Sequence, residues 1–258
     1  MAKLKYTFDD YINNPSGKGS AVIATINKDV YEKELMSLES KNSKATYNVY
    51  RQTTGTKISY IIHFLIPSST KDFFNDVVIE FNPNTDDKSS TKTIKAFTVK
   101  FFSNDSNFVF TYAYTFKTHG VLINELEKLL PFRSIVQKPT MRNPDNAMGY
   151  NKCIVFAYLI MIRDGLFIKD NLNRICKNAG YNIIKNSIKS YDKKEQERNK
   201  ITQEAKAAAN KEKQKPKNKI IKSKNLLGDF PELPKFSKII NKTKTTSVVS
   251  SVKKAKKR

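Results

Sequence analysis

The chain has 258 residues, 39% of them apolar, with 47 basic residues against 24 acidic ones and a formal charge of +23. That length suits one sizeable domain or two small ones. The charge draws polyanions: nucleic acid, an anionic membrane or an acidic protein surface. The abundance of Lys, Asn and Ile with no Trp fits an AT-rich coding sequence, yet such a bias leaves a two-to-one sign imbalance unexplained. The longest apolar run, residues 153–162, is half the roughly 20 residues that a membrane span needs. The first residues lack the hydrophobic core of a secretory signal, so the expectation is a soluble chain. Cys153 and Cys176 sit in apolar or helical surroundings, as buried free thiols of a reducing compartment do.

Residues 1–20 read as an N-terminal arm with apolar anchors at Tyr6, Phe8 and Tyr11 and a turn-rich loop around Pro15 and Gly17. The Gly17-Lys18-Gly19-Ser20 string lacks the spacing of a phosphate loop, and no apolar strand precedes it. Residues 21–119 read as a β domain. A short strand is expected at 21–25, and residues 31–38 fit a helix or a strand. Ala45, Tyr47 and Val49 alternate with polar residues as on a half-buried strand. Residues 58–66 are apolar on both faces, which predicts a central strand closed by Pro67. Another strand is expected at 76–81, followed by a long polar loop. Residues 93–117 carry the clearest alternation. Phe97, Val99 and Phe101 share one face, and Phe108, Phe110, Tyr112, Tyr114 and Phe116 share another. The pattern predicts a β-hairpin with an aromatic ladder.

The period changes after Gly120. Residues 120–191 read as a helical segment packed on the sheet. A stripe over 121–130 ends at Pro131, and Asn151 caps a helix over 152–163 that is apolar nearly all round and therefore buried. Residues 171–191 are helical again, broken at Gly180. Residues 192–258 read as a charged, Ala-rich helix and an extended basic tail. Residues 200–258 hold 18 basic and 4 acidic residues, a composition that cannot bury enough surface to fold alone. One island, residues 226–236, sets Leu226, Leu227, Phe230, Leu233 and Phe236 between prolines, as in a segment that docks into a groove. The fold class expected is α+β: a mostly antiparallel β-sandwich or partly open barrel, a C-terminal helical segment and an extended basic tail.

No constellation for catalysis emerges. His63 lies inside an apolar strand and His119 at a hairpin exit, both as satisfied core or rim residues. Cys153 and Cys176 lack zinc-ligand spacing. Asp9-Asp10 and Asp86-Asp87 read as solvated charge. No metal, cofactor or small-molecule substrate is expected, and no enzymatic activity. Residues 171–189 resemble a helix-turn-helix that would offer Lys185 and Lys189 to a groove, although a plain helical hairpin on the sheet is the preferred reading. The end of the tail, with Lys253, Lys254, Lys256, Lys257 and Arg258, suits diffuse phosphate neutralisation, because no aromatic residues interleave with it for base stacking.

The arm from Tyr6 to Gly19 is similar in style to parts of virion structural proteins of tailed bacteriophages. So are the blocks around Val77-Val78-Ile79-Glu80-Phe81, Thr98-Val99-Lys100-Phe101 and Phe108-Val109-Phe110-Thr111-Tyr112. Those proteins often join a β domain to arms that lace neighbouring subunits. The resemblance implies an oligomeric component of a head, connector or tail, assembled in the host cytoplasm. It would contact other virion proteins through Tyr6, Phe8, Tyr11 and residues 226–236, and nucleic acid or acidic neighbours by charge. The alternative is a soluble nucleic-acid-binding protein that reads through residues 171–189.

Overall fold

Four sequential strands, each hydrogen-bonded to its neighbour in the chain, form the frame of the computed structural model, which describes residues 6–13, 27–55, 57–83, 92–178 and 181–214. They are β1 (Thr46–Thr54), β2 (Lys57–Pro67), β3 (Phe74–Asn82) and β4 (Thr98–Ser103), all paired antiparallel. Gly55, at φ +61°, takes the left-handed conformation that the two-residue β1–β2 hairpin requires. A two-residue strand, β5 (Lys177–Asn178), adds to β1 in parallel, so the order is β4-β3-β2-β1-β5 and the sheet is mixed. It is an open sheet, not a barrel. Among the described residues no second sheet faces it; helices do. The α+β class holds; the sandwich expected is replaced by one open sheet, and the mostly antiparallel sheet expected is mixed through β5 alone.

The chain opens with α1 (Phe8–Asn13) and α2 (Lys28–Lys41). After β4, a π-helical turn, Phe108–Tyr112, runs into α3 (Ala113–Thr118). A 3₁₀ turn (Asn124–Leu129) and α4 (Phe132–Val136) lead to α5 (Lys152–Arg163), α6 (Lys169–Ile175), β5, α7 (Tyr181–Ser187) and α8 (Tyr191–Gln214). One hydrophobic cluster extends from Tyr6 to Tyr191, so the sheet and the helices that pack on it share one core.

Residues 108–117 are helical, not the second strand of a hairpin. Two causes are visible. The side chain of Asp105 accepts a hydrogen bond from Phe108 N (3.1 Å), satisfying one of the free donors at a helix start. The β4 edge where that strand would pair is already filled. Val99 N donates to Tyr6 O (2.7 Å), Phe101 N donates to Val121 O (2.8 Å) and Ile123 N donates to Phe101 O (3.0 Å). An alternation of period two also contains the period four of Phe108, Tyr112 and Phe116, so the same residues suit one helix face.

Register divides the sheet into two unlike faces. Ile62, Phe64, Val77, Ile79, Phe81, Val99 and Phe101 point one way. Phe8 and Tyr11 of α1 pack there, with ring centroids 5.3 Å and 4.8 Å from Phe101, beside Phe116 of α3 and Tyr158 of α5. Nine of the twelve residues of α5 are buried, as its all-round apolarity predicts, and Asn151 caps it by accepting from Ile154 N (3.2 Å). His63, Asp76, Val78, Glu80, Lys100 and Phe102 point the other way. There α7, the link that follows it and the first turn of α8 bring Ile184, Ile188 and Lys194, all buried.

Candidate functional site

The polar face of the sheet holds a closed ionic cluster. Asp76 on β3 is its centre. His63 Nε2 lies 2.8 Å from Asp76 Oδ1, and Lys194 Nζ of α8 lies 2.8 Å from Asp76 Oδ2. Asn104, just past β4, donates from Nδ2 to Asp76 Oδ2 (2.6 Å). Its Oδ1 accepts from Asp76 N and from Lys194 Nζ, both at 2.8 Å. The four side chains are buried, with Lys194 at 6% exposure. An unpaired buried ammonium would cost several kcal/mol, and here it is matched by a carboxylate and an amide oxygen, with the Phe73 ring 5.3 Å away. Burial pushes the Asp76 carboxyl up, but the His63 hydrogen bond and the Lys194 charge outweigh it and hold it below the usual carboxylate range. Burial pulls the Lys194 ammonium below the usual lysine range, against the attraction of Asp76.

Ser187 Oγ approaches His63 Nδ1 at 3.5 Å, so the order of groups is hydroxyl, imidazole, carboxylate. The geometry does not activate the hydroxyl. Ser187 donates to Ile184 O at 2.7 Å, which occupies its only proton, and Asp76 is already neutralised by Lys194. The cluster works as a tether that fixes the base of α8 to the sheet. His63 is thus the satisfied core histidine that its apolar strand suggested.

The remaining titratable candidates take structural places. Cys153 is buried beside Asn75 (3.7 Å), and burial pushes its thiol well up, which keeps it protonated and inert. His119 ends α3. Asp10 accepts from Thr7 N (3.0 Å) and Thr7 Oγ1, capping α1, and Asp9 accepts from Tyr158 OH (3.0 Å), whose pKa burial and Asp9 push up to about 12. Among the described residues no cluster of three His, Cys, Asp or Glu is placed to hold a metal ion. None of the described helices is long and apolar enough to cross a membrane.

The expected docking anchors of the arm are corrected. Tyr6, Phe8 and Tyr11 are buried in this chain's own core. Tyr11 OH donates to Gly149 O (3.0 Å) and accepts from Asn151 N (2.9 Å), so α1 is stapled to the loop before α5. A neighbour cannot reach these rings. The helix-turn-helix likeness also fails, because between α6 and α7 the chain runs as β5 along Tyr50 and Arg51 of β1. Of the two lysines expected to reach a groove, Lys185 is half-buried, and Lys189 is exposed and paired with Glu197 (2.6 Å). Leu226, Leu227, Phe230, Leu233, Phe236, Lys253, Lys254, Lys256, Lys257 and Arg258 lie outside the described residues, as do Asp86-Asp87 and residues 21–25.

Sequence reasoning missed an open cleft of about 410 Å³ between the π-helical turn and the loop that follows α4. Phe110 and Met141 line it, with Arg133, Lys138 and Arg142. Reading residues 108–117 as a strand hid it. In the π-helical turn Thr111 O accepts from the buried Asn143 Nδ2 (3.2 Å), which draws the loop against the helix, while Phe110 turns outward and its ring meets Tyr191 edge-on at 5.4 Å. No family model, no curated protein and no solved structure matches this chain.

Proposed function

We propose that this protein is a non-enzymatic assembly component, a virion part in the reading its phage resemblance suggests, which contacts nucleic acid or an acidic neighbour by charge through its C-terminal end. One observation carries the reading: the helix that leads to the basic end is fixed at its base and free beyond it. Lys194 locks the start of α8 to Asp76, whereas residues 202–208 and Asn210 are all exposed. The 44 residues that follow α8 hold 14 basic and 2 acidic residues. Lysine-rich polymers of this kind neutralise phosphates without reading bases, so binding is unselective and steeply salt-dependent.

The decisive experiment is fluorescence anisotropy of the full chain with duplexes of unrelated sequence, from 50 to 200 mM salt. Equal affinities that fall by orders of magnitude over that range support the reading. Replacing Lys253, Lys254, Lys256, Lys257 and Arg258 with Gln should reduce the slope of log K against log salt by about 0.9 for each phosphate that is no longer neutralised. Sequence-selective, salt-insensitive binding would contradict it.

A further inference from the structure

We propose that the cleft beside α4 receives residues 226–236 of a second copy of this chain, so that the protein self-associates tail to body. The inference rests on the assembly reading above and adds a receptor to it. The cleft asks for an acidic ligand with apolar anchors. Arg133, Lys138 and Arg142 line it with no acidic residue among the lining, and neither Lys138 nor Arg142 pairs with a carboxylate among the described residues. Met141 is 90% exposed and Phe110 47%, and Phe132 on α4 is 77% exposed. Apolar groups presented this openly and ringed by cations mark an interaction surface rather than a stray exposed side chain.

The chain supplies a matching ligand. The only two acidic residues after Gln214 are Asp229 and Glu232, and both fall among Leu226, Leu227, Phe230, Leu233 and Phe236. In a tail this basic, that coincidence sets one stretch apart from all the rest. Pro231 and Pro234 remove backbone donors and bias the stretch against helix, which suits an extended segment held by alternate side chains.

Reach selects a second copy over the same chain. Tyr191, the first residue of α8, packs on Phe110, so α8 starts at the cleft. Its 24 residues carry Gln214 about 36 Å away along the helix axis. Residues 215–225 stretch at most about 40 Å. A return to the same cleft therefore needs a nearly fully extended linker, an ordering cost that docking on a neighbour avoids. Such a contact is heterologous, the kind that builds rings or filaments rather than closed pairs.

The test uses a fluorescent peptide of residues 226–236 titrated into the full chain, together with sedimentation of the full chain across concentrations. Saturable capture and concentration-dependent association are expected. Both should weaken at least about tenfold in Arg133→Glu/Lys138→Glu/Arg142→Glu, whose three side chains are exposed, so circular dichroism should show an unchanged fold. Asp229→Lys/Glu232→Lys in the full chain should abolish association while leaving capture of the free peptide intact, and combining it with the cleft variant should restore association in part. Peptide capture indifferent to the cleft variant overturns the proposal. So does a chain that stays monomeric and takes up peptide only after its own residues 229 and 232 are reversed, which would mean docking within one chain. Displacement of the peptide by an oligonucleotide, with no self-association, would instead make the cleft a nucleic-acid site. The Gln variant of the last five basic residues should keep peptide capture, so failure here and failure of the charge reading are told apart.

Discussion

On one face of the sheet Ile62, Phe64, Ile79, Phe81 and Phe101 meet Phe8, Tyr11, Phe116 and α5. On the other, His63, Asp76 and Glu80 meet α7 and the base of α8. The first face is held by area and shape. Its rings pack at 4.8–6.4 Å in tilted and edge-on pairs, each adding about 0.5–1.5 kcal/mol beyond the burial of its surface. The second is held by direction, with three side-chain donors converging on one carboxylate. The contrast teaches what each face is for. The apolar face supplies stability, whereas the ionic face contributes little net stability, because desolvation cancels most of the attraction. It fixes where the last helix leaves the body.

Asp76→Ala should cost about 3–5 kcal/mol in urea unfolding, because Lys194 and His63 are left buried around nothing. Replacing His63, Asp76, Asn104 and Lys194 together by Leu or Met should come out near neutral, since no orphaned charge remains; a loss as large as that of Asp76→Ala would sink the view of the cluster as a tether. The same carboxylate sets a pH dependence. Its folded pKa lies below the unfolded value of 3.8, so its contribution is complete above that value and is lost as pH falls through the lower folded one. Unfolding curves between pH 6 and pH 2 should show this acid loss, and the Leu/Met variant should lack it.

Phe8→Ala should cost about 3–5 kcal/mol, since the ring is fully buried among Phe81, Phe101, Tyr158 and Phe167. That result would also show that the N-terminal stretch belongs to the core, and a change below about 1 kcal/mol would return it to the role of a free arm. Tyr11→Phe keeps the ring and removes two hydrogen bonds, which strands the buried Asn151 N–H; about 1–3 kcal/mol is expected, with faster exchange of that amide. At the small end, Lys189→Ala breaks only an exposed pair with Glu197 and should move stability by less than about 1 kcal/mol.

Much of this was legible in the chain. Alternation located β1 and β4, apolar runs bounded by turn residues located β2 and β3 and made β2 central, and Asn151 with an all-apolar run gave α5 to the residue. Residues 108–117 were not legible, because alternate aromatics satisfy a strand of period two and a helix face of period four equally well. The free edge of β4 decided between them, and it was taken by Tyr6 and residues 121–123. Phe8 and Tyr11 read as anchors, which they are, but a sequence does not say whose surface an anchor grips.

The amino-acid pattern alone determined the elements whose periodicity has one solution, the placement of basic charge at the C-terminal end and the apolar, acidic island within it. Tertiary structure alone decided which edge was filled, which polar residues met in the dark beneath α8 and where a cationic cleft opened. The physical reason is range. Helix capping and side-chain alternation act over a few residues, whereas His63, Asp76, Asn104 and Lys194 are brought together across 131 positions by the packing of everything between them.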